Sequence, residues 1–342
     1  MEKTPKIILI GLGKVGREVL HQLATLRISL EISGLADSSA CLVGTPLTKD
    51  LRDKAIQRKV NGGRLSELPE AVDYAKLMDY YSQDTIIVDT SAARDLDWRT
   101  AIAKGCKLVF ANKNAPSAPW GKANMLYRQS GIRYESTVGA GLPIINTLRN
   151  MVESGDQITR IEGVISGTLG YLCSQLEKGV RYSQAVRQAY EAGYTEPDPR
   201  DDLSGFDVLR KALILARTAG WPVEKEDFQI QTMYDERLAE GSVPEFLQNA
   251  TQSDPEYAEQ VQKAAVQGKV LRYLATVTPN GGSIGLQPVD LASQLGALQG
   301  TGNYFAIYSR LYHQIPLVIA GPGAGIEVTA NGVLNDIIAL LN

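Results

Sequence analysis

A run of acidic side chains, followed at once by a helix that carries a lysine, contains the residue types best suited to chemistry. Segment 193–207 holds five carboxylates, two prolines and two glycines. Acids at this density, on a loop stiffened by proline, suit the binding of a small cationic group. Lys211 follows within an apolar stretch, and apolar surroundings suit proton transfer because desolvation favours the neutral form of a lysine.

The helix after Gly205 determines how Asp207 and Lys211 are placed. They are four residues apart and therefore share one helix face. Apolar residues fill most of the following positions, 212–216, and a helix that is apolar nearly all round is buried. We therefore predict an enclosed pair that takes part in chemistry. A purely structural buried ion pair is the alternative.

A glycine motif near the N-terminus points to a dinucleotide. The β-branched run Lys6–Ile10 predicts a strand, and a helical pattern of apolar residues follows from Val19 to Leu26. Between them the G-x-G-x-x-G spacing allows a tight turn, a close approach of pyrophosphate, and close packing of helix on strand. The phosphates would lie at the helix N-terminus. The motif residues are Gly11, Leu12, Gly13, Lys14, Val15 and Gly16.

Asp37 bears on the choice of cofactor. It follows the predicted strand Glu31–Ala36 and lies about 20 residues past the glycines, where an acid can bond the ribose hydroxyls. A carboxylate there would repel a 2′-phosphate, so we expect NAD(P) binding with a preference for NAD. The alternative is that Asp37 merely caps the turn at Ser38–Ser39.

Two further predicted strands end in polar residues. Thr85–Asp89 is followed by Thr90 and Ser91, and Leu108–Phe110 is followed shortly by Lys113. Ligands of open parallel sheets bind outside the carboxyl ends of the strands, so these three residues are candidates for the site. For Lys113 alone, a solvated loop charge is the alternative.

The segment Tyr134–Pro143 combines an acid with two glycines. Its glycines, at 139 and 141, let successive carbonyls turn toward one point, and carbonyls with the carboxylate of Glu135 suit a hard cation. Pro143 predicts the start of a helix over 144–151. A hinge without an ion, in which Glu135 bonds to backbone, is the alternative.

Composition excludes several classes of protein. The net charge of -3 gives no electrostatic case for nucleic acid or for an anionic membrane. Three isolated cysteines and two histidines imply neither a disulfide framework nor a histidine-rich metal site. The N-terminus lacks a signal-peptide pattern and no apolar run reaches membrane-spanning length. We expect a cytoplasmic protein.

Four motif clusters resemble the homoserine dehydrogenase family, including the dehydrogenase part of fused aspartokinase enzymes. They are the glycine motif, segment 134–143, segment 193–211 and segment 321–329. The resemblance covers almost the whole chain and includes neither a kinase nor a C-terminal ACT domain, so feedback through such domains is not expected of this chain. Two positions depart from the family pattern: Asn114 replaces a second lysine, and Gly170 replaces Asn or Ser.

The resemblance implies roles for individual residues. Lys211 would be the acid/base, and Lys113 would share or relay the proton at the active site. The substrate ammonium would be held by Glu196 and Asp207, with Asp202 supporting that pocket. Thr90 would lie on the nicotinamide side and Gly325 by the cofactor. The residues implied as sodium ligands are Glu135, Val138, Ala140 and Leu142.

The predicted fold is α/β, a Rossmann-like doubly wound parallel sheet with a second α+β domain. Residues 1–145 would bind the dinucleotide, 146–315 would bind substrate and form a homodimer, and 316–342 would return as a helix to the first domain. The implied reaction interconverts L-homoserine and L-aspartate 4-semialdehyde, on the route to threonine and methionine. A dehydrogenase for another amino acid and a catalytically silent nucleotide sensor are the rival functions.

Overall fold

The computed structural model describes residues 4–26 and 30–341, so Met1–Lys3 of the N-terminal segment considered above lie outside the described residues. The chain divides into two compact units. The first unit comprises Met1–Pro143 and Ala324–Asn342, and the second comprises Ile144–Gly323. Each unit is built around its own six-stranded sheet within the described residues.

The first unit contains the predicted doubly wound sheet. Its strands are β1 (Lys6–Ile10), β2 (Glu31–Ala36), β3 (Cys41–Val43), β4 (Thr85–Asp89), β5 (Lys107–Phe110) and β6 (Ile132–Arg133). They run in the order β3-β2-β1-β4-β5-β6. Neighbouring strands are parallel except at the edge, where β3 pairs antiparallel with β2. The carboxyl ends of β1, β4 and β5 therefore lie side by side.

Helices cover the first-unit sheet. They are α1 (Lys14–Thr25), α2 (Lys49–Val60), α3 (Trp98–Ala103), α4 (Trp120–Ala123) and α12 (Ile326–Leu341). Ile7 and Leu9 of β1 are fully buried in one hydrophobic cluster with Val333 and Ile337 of α12. The last helix of the chain thus completes the core of the first unit. Strands buried by helices on their faces carry near-continuous apolar runs, which explains the sequence of β1.

The second unit contains a mixed sheet. Its strands are β7 (Ile158–Val164), β8 (Phe228–Ile230), β9 (Lys269–Thr278), β10 (Gly281–Asp290), β11 (Gly302–Ser309) and β12 (Leu317–Pro322). They run in the order β12-β11-β7-β9-β10-β8. All pairs are antiparallel except β8 with β10. Strands β9 and β10 form a hairpin.

The helices of the second unit are α5 (Ile144–Glu153), α6 (Gly167–Glu177), α7 (Tyr182–Glu191), α8 (Pro199–Leu203), α9 (Phe206–Thr218), α10 (Val243–Asn249) and α11 (Asp254–Val266). Of these, α6, α9 and α11 pack against β9 of the sheet. Helix α6 begins at Gly167, where the Ser166 hydroxyl caps it by accepting the Leu169 N–H. Within the described residues, no helix is long and apolar enough to cross a membrane.

Candidate active site

The glycine motif forms the turn between β1 and α1. A side-chain carbon at Gly16 would lie 1.9 Å from the Gly11 carbonyl oxygen, so only glycine permits this packing. The Thr90 hydroxyl donates to the same carbonyl at 2.6 Å and ties the end of β4 to the turn. Gly13, the N-cap of α1, has open space on its side-chain side. This arrangement suits a pyrophosphate approaching Gly13 at the helix N-terminus.

The ends of β4 and β5 are joined by a buried carboxylate. Asp89 accepts the backbone N–H and the hydroxyl of Ser91, and it accepts the Asn112 amide at 3.0 Å. Burial raises the pKa of Asp89 to about 6, although these hydrogen bonds oppose the rise. The Ser91 hydroxyl therefore donates to Asp89 and orients the loop after β4. Its predicted contact with the cofactor remains a prediction.

Asp37 lies at the predicted strand end and is almost fully buried. One carboxylate oxygen accepts the N–H and hydroxyl of Ser39 and the Ala40 N–H. The other accepts Lys59 Nζ at 2.7 Å and the Leu65 N–H at 3.1 Å. Burial acts to raise the pKa of Asp37, but the bonds from Lys59, Ser39 and Leu65 outweigh it and hold the pKa well below its usual range. Asp37 thus caps the turn and also forms an ion pair that the sequence did not indicate.

The loop after β5 presents Lys113, which is partly buried. Its carbonyl accepts the hydroxyl of Ser117 at 2.7 Å, so the backbone turns directly after the lysine. Asn114, where the family pattern has a second lysine, donates its amide to the carbonyls of Ala92 and Ala93 at 3.1 Å. Asn114 therefore replaces a positive charge with a neutral amide that links the loops after β4 and β5 by hydrogen bonds.

The predicted ion loop, Glu135–Leu142, is buried for most of its length. Glu135 is 2% exposed and opens a short 3-10 turn. Gly139 and Ala140 both have left-handed backbones, with φ of 76° and 57°. A left-handed alanine is uncommon, and such residues cluster at functional sites. Among the described residues no three His, Cys, Asp or Glu side chains come together as a metal cluster, so an ion here would depend largely on carbonyl oxygens.

Gly325 begins the approach to α12. Its φ of 136° is accessible mainly to glycine, and its carbonyl accepts the N–H and the hydroxyl of Thr329. The residue therefore sets the start of the helix. Its predicted proximity to the cofactor remains a prediction.

In the second unit, Asp202 ties the acidic loop to the start of α6. One of its oxygens accepts the Glu196 N–H at 2.7 Å, and the other accepts the Thr168 hydroxyl at 3.0 Å. Thr168 also donates to the Tyr194 carbonyl at 2.7 Å. Burial raises the pKa of Asp202, and the two hydrogen bonds oppose that effect. The side chain of Glu196 itself is exposed.

Asp207 and Lys211 form the pair that the helix pattern predicted. Lys211 Nζ lies 2.9 Å from Asp207 Oδ2 and donates to the Ile165 carbonyl at 2.7 Å. The Lys211 side chain is 13% exposed and that of Asp207 is 35% exposed, so the lysine is enclosed while the carboxylate reaches solvent. Arg210 binds the other oxygen of Asp207 at 3.0 Å. Asp207 is thus held between two cations.

Each unit brings together some of the predicted site residues. The first brings the glycine turn against Thr90, and the second brings Asp202 to the Glu196 backbone and Asp207 to Lys211. Sequence reasoning missed Lys59 and Asn112, whose partners are distant in sequence and leave no local signal. It also missed Arg210, although its spacing of three residues from Asp207 on the same helix would have indicated the contact.

Comparisons with known proteins agree with this architecture. The sequence model of the family described as homoserine dehydrogenase matches residues 143–338. A bifunctional aspartokinase/homoserine dehydrogenase 1 of Zea mays is 36% identical over 97% of this chain and 38% of its own length. The corresponding enzyme 2 of Escherichia coli is 33% identical over 98% of this chain and 43% of its own length. The chain thus spans less than half the length of these curated relatives.

Solved structures extend the likeness to the whole fold. A Candida auris protein of unknown function has a TM-score of 0.84 at 31% identity, covering 99% of this chain and 98% of that one. A hyperthermophilic archaeal homoserine dehydrogenase in complex with NADPH has a TM-score of 0.75 at 25% identity, covering 99% of this chain and 98% of that one. With the family match over 143–338 and the relatives above 30% identity, this chain belongs to the homoserine dehydrogenase family.

Proposed function

We propose that this chain catalyses the reversible, NAD(P)-dependent oxidation of L-homoserine to L-aspartate 4-semialdehyde. The observation that carries the proposal is the enclosed Lys211, hydrogen-bonded to Asp207 and the Ile165 carbonyl, in the unit that also carries the acidic loop. A primary alcohol needs a proton acceptor at its hydroxyl, and the amino group of an amino acid needs a carboxylate. The family of the chain supports the same reaction.

The substrate ammonium is assigned to Glu196 and Asp207. The Glu196 carboxylate is exposed, and its backbone N–H is fixed by Asp202 at 2.7 Å. Asp202 therefore acts as a support whose carboxylate is already engaged on both oxygens. Asp207 reaches solvent on one side while Arg210 and Lys211 hold its two oxygens. An ammonium at Asp207 would share the carboxylate with these cations, so Glu196 is the stronger of the two ligands.

Lys211 is assigned as the acid/base. When bound, the oxidised nicotinamide would supply an acceptor for the hydride on the alcohol carbon. The hydroxyl proton passes to Lys211 Nζ, whose position is fixed by Asp207 and the Ile165 carbonyl. Accepting a proton requires the neutral amine of Lys211. Lys113 is the second candidate for sharing this proton.

The cofactor is assigned as NAD(P), with the preference for NAD carried by the Asp37 carboxylate. The glycine turn supports cofactor binding, because the space beside Gly13 is open to a pyrophosphate. Lys59 opposes the preference, because its ammonium at 2.7 Å neutralises much of the charge that would repel a 2′-phosphate. The two cofactors should therefore differ modestly in KM rather than exclude one another.

A sodium ion is assigned to the loop Glu135–Leu142, with Glu135 and the carbonyls of Val138, Ala140 and Leu142 as its ligands. These oxygen donors fit a cation, because the Glu135 carboxylate is on a buried residue and the left-handed pair Gly139–Ala140 turns the backbone within the loop. Oxygen ligands of this kind suit a hard cation. The ion would organise the loop; no proton or hydride transfer is assigned to it.

A homodimer and a cytoplasmic location complete the proposal. The turn that precedes the edge strand β12 carries exposed apolar side chains, including Leu311 at 60% and Ile315 at 80% exposure. Such a surface beside an open sheet edge favours association. The three cysteines are free thiols in buried positions, as suits a reducing compartment. Sedimentation equilibrium and cell fractionation test the two assignments.

The decisive experiment follows absorbance of reduced nicotinamide with L-homoserine, using NAD and NADP separately. L-serine, L-threonine and 4-hydroxybutyrate serve as a panel that changes the chain length, the alcohol or the ammonium. We expect reduction with homoserine and at least a tenfold lower kcat/KM with 4-hydroxybutyrate. Reduction with a different amino acid alone would assign another substrate. Cofactor binding without any reduction would assign a silent sensor.

A further inference from the structure

The C-terminal helix α12 carries a fully buried acid. Asp336 is 0% exposed, and one of its carboxylate oxygens accepts the Glu135 N–H at 2.7 Å. Burying a carboxylate is costly unless hydrogen bonds compensate. The carboxylate therefore lies where it makes a specific contact with the ion loop, 201 positions earlier in the chain.

The same face of α12 is shaped to the loop at two further points. Gly332, one turn before Asp336, lies so close that a side-chain carbon there would be 2.4 Å from the Ser136 hydroxyl and 2.9 Å from the Ala140 carbonyl. The Thr329 carbonyl accepts the Ser136 hydroxyl at 2.9 Å. Thr329, Gly332 and Asp336 thus form a cradle that contacts the loop at residues 135, 136 and 140.

The loop needs such a cradle because its backbone is not in a relaxed conformation. Ala140 has a left-handed φ of 57° directly after Gly139, also left-handed. Non-glycine residues hold this conformation only when the surrounding structure over-determines it. Helix α12 supplies the surrounding structure on the side of Glu135 and Ala140.

We propose that Asp336 is a positioning residue for the cation loop. It fixes the Glu135 amide, and through it the direction of the Glu135 carboxylate relative to the carbonyls of Val138, Ala140 and Leu142. It acts through Glu135 and is not itself assigned as an ion ligand. The inference rests on the sodium assignment made above. It predicts that changes at Asp336 alter cation response through the loop while leaving the glycine turn intact.

The test uses the full chain and two readouts that do not depend on turnover. Hydrogen exchange reports the peptide that contains the Glu135 amide. Thermal unfolding in NaCl, compared with choline chloride at the same ionic strength, reports cation binding. The variants are Asp336→Ala, Asp336→Asn, which keeps shape and an acceptor oxygen, and Asn335→Ala, an exposed neighbour on the same helix.

We expect Asp336→Ala to speed exchange at Glu135 at least tenfold and to abolish the stabilisation specific to sodium. Asp336→Asn should retain part of both, and Asn335→Ala should match the wild type. Should Asp336→Ala not fold, Asp336→Asn decides, with at least threefold faster exchange and a weaker sodium response expected. Unchanged exchange and an unchanged sodium response in the folded Asp336 variants would overturn the proposal.

Failure of this inference is separable from failure of the proposed enzyme. A wild-type chain that reduces nicotinamide with homoserine but shows no preference for sodium over choline would remove the cation site and the role of Asp336, and the dehydrogenase would stand. A chain with a sodium response governed by Asp336 but no homoserine-dependent reduction would support the positioning role and overturn the enzyme assignment.

Discussion

The ion pair between Lys59 and Asp37 should contribute measurable stability, whereas an exposed pair on the same helix should not. Lys59 Nζ lies 2.7 Å from Asp37 Oδ2, with side chains 20% and 7% exposed. Lys54 and Asp50 approach to 2.8 Å, but their side chains are 50% and 76% exposed. Because the distances are nearly equal, the comparison isolates the effect of burial on the strength of an ion pair.

The expected magnitude follows from what remains after Lys59→Met. Asp37 keeps four hydrogen bonds, from Ser39, Ala40 and Leu65, so the carboxylate is not left without donors. The loss is therefore one hydrogen bond to a charged group, worth about 1.5–3 kcal/mol. Partial exposure of Lys59 places the coupling near the middle of that range, at about 2 kcal/mol.

The pKa of Asp37 also fixes the direction in which its contribution to the free energy of unfolding changes with pH. The folded-state pKa of Asp37 lies below its ordinary value of 3.8. Its contribution to the free energy of unfolding is therefore fully present above pH 3.8 and is lost as the pH falls toward the folded-state pKa. The coupling between Lys59 and Asp37 should be equal at neutral and mildly acidic pH and should shrink only in strong acid.

A double-mutant cycle of Lys59→Met and Asp37→Asn measures the coupling. Urea unfolding read by hydrogen exchange in β2 and α2 refers the free energy to the first unit. The matched cycle of Lys54→Met and Asp50→Asn is the control and should show no coupling above error. A Lys59–Asp37 coupling below about 0.5 kcal/mol, the range of exposed pairs, would refute the reasoning.

Three further predictions test the packing of the first unit and the state of the cysteines. Gly13→Ala should preserve stability, because the space on the side-chain side of Gly13 is open, but it should weaken cofactor binding at least tenfold in equilibrium dialysis. Gly16→Ala should weaken binding and also destabilise the fold, because its new side-chain carbon would lie 1.9 Å from the Gly11 carbonyl oxygen. Burial raises the pKa of Asp89 to about 6 in the folded chain, so the free energy of unfolding should fall as the pH rises from about 4 through 6. Carbon NMR of the Asp89 carboxyl should show the titration. Cys41 and Cys173, whose thiol pKa values burial raises to about 11, should not react with Ellman's reagent until urea unfolds the chain.

The sequence predicted the elements that depend on local pattern. The β1 turn and α1 follow from glycine spacing between a β-branched run and a 3.6-residue period. The bounds of β1 match the prediction, whereas α1 begins at Lys14, before the first apolar residue of the predicted pattern at Val19. The face shared by Asp207 and Lys211 follows from helix geometry alone. Because such features are encoded within about one turn of helix or one strand, a single sequence is sufficient to predict them.

The sequence could not predict contacts made by distant segments. Lys59 pairs with Asp37 across 22 positions, and Asp336 reaches the Glu135 amide across 201. Neither Lys59 in a charged helix nor Asp336 in an apolar one has a neighbour that identifies its partner. The supporting role of Asp202 in the pocket stays a prediction, and its bond to the Glu196 backbone depends on how the loop folds.

The most direct test of the proposed chemistry compares the wild-type chain with Lys211→Met in homoserine-dependent reduction of NAD(P). Lys225→Met, a change at a side chain that is 65% exposed in the same unit, is the control. Removing an acid/base should lower kcat about 100- to 10,000-fold, with cofactor affinity unchanged, while Lys225→Met keeps full activity. A Lys211→Met enzyme that retains more than a tenth of wild-type kcat would contradict the assignment of Lys211 as the proton acceptor.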